Sequence, residues 1–108
     1  MLVIDQTWNN GSAEVTLGES FRLQLSENPT TGYRWQLQKN GAPTFHALED
    51  SFEASASAPG GGGIRYWIFV AEQVGAATLS LDLRRSWQPQ PVSTFTIAVR
   101  VKAKPDSR

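Results

Sequence analysis

Apolar and polar residues alternate in short runs along most of this chain, and clusters of Gly, Pro, Asn and Ser separate the runs. Alternation of period two marks half-buried strands, because successive side chains on a strand point to opposite faces. Met1 to Trp8 predicts a first strand, Asn9-Asn10-Gly11-Ser12 a turn, and Ala13 to Leu17 a short second strand. Gly18-Glu19 then turns the chain into a strand from Ser20 to Leu25, in which Phe21, Leu23 and Leu25 share a face. After the polar stretch Asn28-Pro29-Thr30-Thr31-Gly32, Tyr33, Trp35 and Leu37 alternate with Arg34, Gln36 and Gln38 in a strand that Asn40-Gly41 closes. Ala42-Pro43 keeps the next segment off the ladder at its start, since proline has no N–H to donate.

In Thr44 to Ala54 the apolar positions Phe45, Leu48 and Phe52 stand three and four apart, which suits one helical turn. The strands on either side favour an irregular strand instead. Ala54 to Gly63, with Ser55, Ser57, Pro59 and the run Gly60-Gly61-Gly62-Gly63, has nothing to bury and predicts a long exposed loop. Ile64 to Val70 is apolar on both alternating sets, so it is either a central strand or a strand whose outer face a neighbour covers. Gly75 marks the next turn. Ala77, Leu79, Leu81 and Leu83 point one way along a half-buried strand while Thr78, Ser80 and Asp82 point the other. Arg84 to Pro91 forms a second proline-punctuated loop, and Phe95, Ile97, Val99 and Val101 alternate along a last strand before a polar tail from Lys102. About seven or eight short strands with turn signals between them predict an immunoglobulin-like antiparallel β-sandwich, all-β, in a single domain over residues 1–108.

In a sandwich, loops separated by two strand passages leave the same end. The loops at Asn28, Gly60 and Arg84 are separated in that way, so they cluster at one end, opposite the tight turns at Asn40-Gly41 and Gly75. Binding surfaces on such scaffolds are commonly built from clustered loops. The first loop is stiff where it matters: Pro29 fixes its own φ and extends Asn28, Gly32 supplies a positive φ, and the β-branched Thr30 and Thr31 between them are restricted at χ1.

Composition narrows the choice of partner. Lys plus Arg and Asp plus Glu number ten each over 108 residues, so no net field favours nucleic acid or an anionic membrane, and recognition is expected by shape. With no cysteine there is no disulfide, thiol nucleophile or thiolate metal site. The single histidine, His46, has no nucleophile set beside it, which argues against an enzyme. Glu49, Asp50 and Glu53 lack the spacing of a calcium loop and read as a solvated face; the glycine run lacks the Gly-Lys-Ser/Thr of a phosphate cradle. Arg84, Arg85 and Trp87 make too small a footprint for nucleic acid in a neutral domain. No cofactor is expected. No run approaches membrane-spanning length, and Met1-Leu2-Val3-Ile4-Asp5 lacks the regions of a signal peptide, so either the protein stays in the cytoplasm or a leader has been removed.

The motif Asn28-Pro29-Thr30-Thr31-Gly32 followed by the aromatic Tyr33, a glycine-rich loop before an apolar strand, and Arg85-Ser86-Trp87 in the next loop on that side together resemble the chagasin family of cysteine peptidase inhibitors. The resemblance runs from about Gly18 to Val101, with one departure: Ser86 stands where the family usually carries proline, which leaves this loop less rigid. It implies a reversible, non-covalent inhibitor of papain-like cysteine peptidases that plugs the active-site cleft. Asn28, Pro29, Thr30, Thr31 and Gly32 would lie over the catalytic cysteine, Gly60, Gly61, Gly62 and Gly63 would embrace one side of the cleft, and Arg85 with Trp87 would hold the other. Trp87 falls outside the alternation of either neighbouring strand and is expected to be exposed. A monomer is expected, and the resemblance favours a periplasmic or secreted location over the cytoplasmic one that the bare N-terminus leaves open. A carbohydrate- or adhesin-type binding module is the alternative, since exposed aromatics on β-sandwiches stack sugars.

Overall fold

The alternating apolar sets meet in one interior. Phe21, Leu23 and Leu25 pack in one cluster with Trp35, Phe69, Leu79, Leu81, Phe95, Ile97 and Val99. The computed structural model describes residues 1–55 and 62–105. Its strands are β1 (Leu2–Ile4), β2 (Gly11–Thr16), β3 (Ser20–Glu27), β4 (Arg34–Asn40), β5 (Phe45–Ala54), β6 (Gly63–Ala71), β7 (Gly75–Arg84) and β8 (Ser93–Lys102). They form two four-stranded sheets, in the orders β1-β3-β6-β5 and β2-β8-β7-β4. The sandwich is the one the alternation predicts, with one refinement: both sheets are mixed. β1 pairs parallel with β3, and β2 parallel with β8, while the other neighbours are antiparallel.

The refinement traces to the N-terminal segment, where Met1 to Trp8 is not one strand. β1 stops at Ile4, because the Asp5 carboxylate accepts the Thr7 N–H at 2.9 Å and caps a short 3-10 helix over Gln6–Trp8. That turn carries the chain from the edge of the first sheet to the edge of the second, so β1 and β2 never pair with each other. The Asn9 side chain receives it there, accepting the Thr96 N–H at 2.9 Å.

β5 is a strand and not a helical turn, and its spacing has a physical cause. Seven positions separate Phe45 from Phe52, which strict alternation would send to opposite faces. A bulge between Ala47 and Glu49 inserts one residue, so Phe45 opposite Ala71 and Phe52 opposite Arg65 lie on the same face. The extra residue is Leu48, 60% exposed. β6 proves to be the central strand of the two alternatives, flanked by β3 and β5. Its Trp67, Phe69 and Ala71 enter the core, and on its outer face the Arg22 guanidinium lies 3.9 Å from the Tyr66 ring centroid. The Asn40-Gly41 turn needs glycine twice over, for a φ of 79° and because a Cβ there would lie 1.9 Å from the Phe45 ring.

Candidate functional site

Register places all three long connections at one end. Glu27 at the end of β3 lies opposite Gly63 at the start of β6, Arg34 opposite Arg84, and Leu83 opposite Ser93. The Ser55 N–H donates to the Gly62 carbonyl at 3.0 Å, closing the base of the glycine-rich connection. Gly62 and Gly63 therefore stand beside the root of the Asn28 loop, whereas Gly60 and Gly61 lie outside the described residues.

The first loop is a hydrogen-bonded turn. Asn28 caps a 3-10 helix over Pro29–Thr31, its side-chain oxygen accepting the Thr30 N–H at 3.1 Å and the Thr30 hydroxyl at 2.6 Å. The Asn28 carbonyl accepts the Thr31 N–H at 3.1 Å and the Thr31 hydroxyl at 2.7 Å, and the Pro29 carbonyl accepts the Gly32 N–H at 3.1 Å. Pro29 sits where its missing N–H is no loss. Gly32 ends the turn at φ 81°, the left-handed conformation that returns the chain into β4.

The third loop is tied to the first. Arg85 Nε donates to the Thr31 carbonyl at 3.0 Å, and its guanidinium carbon lies 4.3 Å from the Tyr33 ring centroid and 5.7 Å from that of Trp87. Asn28 to Gly32, Arg85 and Trp87 are thus one connected surface, in which Arg85 holds loop to loop. A Cβ on Gly32 would come within 3.4 Å of the Trp87 ring, so the ring rests close over the glycine while remaining 71% exposed. The Gln88 N–H donates to the Arg85 carbonyl at 3.1 Å, which makes Ser86 the second residue of a four-residue turn. Proline favours that position. In the inhibition that the resemblance implies, Ser86→Pro is therefore expected to leave the contacts unchanged and tighten binding by up to about 1 kcal/mol through a stiffer free loop, read as a lower inhibition constant at unchanged fold.

Three roles escaped the reading of the sequence. Tyr33 is the platform for Arg85. Glu27 is 5% exposed, and its Oε1 accepts the Trp35 N–H at 2.7 Å. Arg65 reaches Glu27, with Nη1 3.6 Å from Oε2, and donates from Nε to Asp50 Oδ1 at 2.6 Å. The hydrogen bond that Arg65 donates to Asp50 leads in raising the Arg65 pKa above its ordinary value, partly opposed by burial. The signal was present: Glu27 continues the inward series Phe21, Leu23, Leu25, and Arg65 the inward series Trp67, Phe69, Ala71. A charge on an apolar register asks for a partner. Between the first loop and the glycine-rich connection opens a cleft of about 550 Å³, lined by Glu27, Thr31, Tyr33, Gly62, Ile64 and Leu83 among others.

The remaining candidates are engaged in other contacts. His46 pairs with Glu72 at the opposite end of β5. Asp50 and Glu53 face Arg65 and Arg22, and Arg84 donates to Gln36 Oε1 at 3.1 and 3.0 Å. Among the described residues no group of three or more His, Asp or Glu converges as a metal site, and no helix is long and apolar enough to cross a membrane.

The arrangement has known counterparts. Amoebiasin-1 of Entamoeba histolytica is 34% identical over 100 residues, which cover 87% of this chain and 93% of that protein. The crystal structure of the cysteine protease inhibitor EhICP2 from the same organism superposes with a TM-score of 0.84 at 23% identity, over 94% of this chain and 95% of that one. PbICP-C, solved in complex with falcipain-2, shares the fold at a TM-score of 0.53 and 16% identity, over 95% of this chain and 88% of that one. The model of the chagasin family of peptidase inhibitors, I42, matches residues 14–99, a span that takes in the Asn28 turn, the glycine-rich connection and the Arg85 turn, and this chain belongs to that family of inhibitors, which are not enzymes.

Proposed function

We propose that this domain inhibits papain-like cysteine peptidases reversibly and without covalent chemistry, by seating the Asn28 to Gly32 turn over the catalytic cysteine. Gly62 and Gly63, with their glycine neighbours, flank one side of the cleft, and Trp87, held by Arg85, anchors the other. The observation that carries this reading is where the loop's carbonyls go. A peptidase cleaves extended backbone whose scissile carbonyl is free to be polarised. Here the carbonyls of Asn28, Pro29 and Thr31 accept hydrogen bonds from within the domain, and the backbone is a 3-10 turn. A wedge of that kind fills a cleft without offering a bond to cut. Its stiffness also means that little conformational freedom is lost on binding.

In this reading the site belongs to a single domain acting as a monomer, and the family resemblance supports a periplasmic or secreted location. A sugar-binding role finds less support: of the four tryptophans, Trp35 and Trp67 are buried and Trp8 packs against the core, so no row of exposed indoles remains beside Trp87. Titration of papain and of trypsin with the purified domain is the direct test. Papain is expected to lose activity stoichiometrically at micromolar domain while trypsin keeps its own. Equal inhibition of both enzymes, or none of papain, refutes the reading.

A further inference from the structure

Glu27 is the buried charged side chain of this fold among the described residues, its side chain 2% exposed at the floor of the loop end. Taking a carboxylate out of water is unfavourable unless it is both hydrogen-bonded and paired. Both conditions are met, and the partners span the sandwich. β4 is an edge strand of the second sheet, so backbone groups on its open side lack a ladder partner, and the Trp35 N–H finds Glu27 across the gap. Arg65 on β6 approaches the other oxygen and is itself held by Asp50 on β5. Trp35 adds a second tie, from Nε1 to the Ser26 carbonyl at 2.9 Å. These contacts clamp the two legs of the Asn28 loop at its root. They also join that root to β6 where Gly63 begins it, directly opposite Glu27.

We infer that Glu27 is a positioning residue for inhibition: the Trp35–Glu27–Arg65–Asp50 chain sets the pose of the Asn28 to Gly32 turn relative to Gly62 and Gly63, without itself touching the peptidase. The inference rests on the proposed function. Its physical basis is preorganisation. When a binding-competent pose is only partly populated, apparent affinity falls by that fraction, so a loop freed to sample ten poses binds about tenfold more weakly with every contact residue intact.

Two readouts test it: amide hydrogen exchange in the free domain, and papain inhibition with the wild type measured alongside. Glu27→Gln keeps an acceptor for the Trp35 N–H and is expected to inhibit within roughly threefold of wild type. Glu27→Leu removes that acceptor and leaves Arg65 facing a hydrocarbon. It is expected to raise the inhibition constant about tenfold or more and to speed exchange of the Gly32 and Trp35 amides by a similar factor, while Leu79 and Ile97 keep wild-type protection. Phe69→Leu, a core change far from the loop, serves as the comparison and is expected to leave loop exchange and inhibition unaltered. Unchanged loop exchange and inhibition in Glu27→Leu, or both effects reproduced by Phe69→Leu, overturns the inference. Should Glu27→Leu not fold, Arg65→Met decides by the same readouts, with a loss of at least about threefold expected and no change counting against it. A wild type that leaves papain untouched defeats the functional reading alone, since loop exchange still reports on the clamp.

Discussion

Trp35→Ala is expected to lower the stability of the domain by about 3 to 5 kcal/mol, measured as a shift in the urea midpoint at unchanged slope. Trp35 is 4% exposed and packs in the core between the sheets, so truncation leaves a cavity that the rigid sheets close only in part. It also removes the indole donor that bonds the Ser26 carbonyl at 2.9 Å. Trp35→Phe separates the two losses: it restores most of the volume and forfeits the hydrogen bond, and about 1 to 2 kcal/mol is expected from that change alone. A negligible midpoint shift for Trp35→Ala would contradict the packing described.

Trp87→Ala is expected to behave in the opposite way. The ring is 71% exposed, outside the core cluster, and rests close over Gly32. Removing it should change stability by less than about 1 kcal/mol, as for surface positions generally. Binding should weaken by about 2 kcal/mol or more, some thirtyfold in the inhibition constant, because a large aromatic carried on a tethered loop is the kind of anchor that concentrates binding energy. Arg85 provides the tether through the Thr31 carbonyl and the Tyr33 ring. If Trp87→Ala instead destabilised the fold and bound normally once folded, Trp87 would be removed from the binding surface.

The two tryptophans illustrate how far alternation could be followed. Trp35 stands in step with Leu37 along β4, and that alone assigned it inward; Trp87 stands among Ser86, Gln88 and Pro89, in step with nothing, and that assigned it outward. Strand count, the inward sets of β3, β7 and β8, and the shared end of three loops followed from the same periodicity, because side-chain direction on a strand is fixed by local geometry. The turn at Asn28 was legible too, since proline, glycine and a capping side chain act on their immediate neighbours.

What escaped was everything that depends on contact between segments remote in the chain. By period alone Met1 to Trp8 reads as one strand; the crossing from one sheet to the other after the Asp5 cap decides otherwise, and with it the parallel pairing of β1 with β3 and of β2 with β8. The bulge at Leu48, which brings Phe45 and Phe52 onto one face, shows only in the pairing of β5 with β6. Glu27 and Arg65 lie 38 positions apart, and Arg85 meets Thr31 across 54, so their pairing became visible only once the sheets were packed. The sequence by itself determined the strands, their inward faces and a preformed turn, since these are set by φ preferences and period-two alternation within a few residues. Tertiary structure alone decided how the turn is held, because a buried carboxylate is tolerated only where distant partners converge on it, and here they converge beneath Asn28.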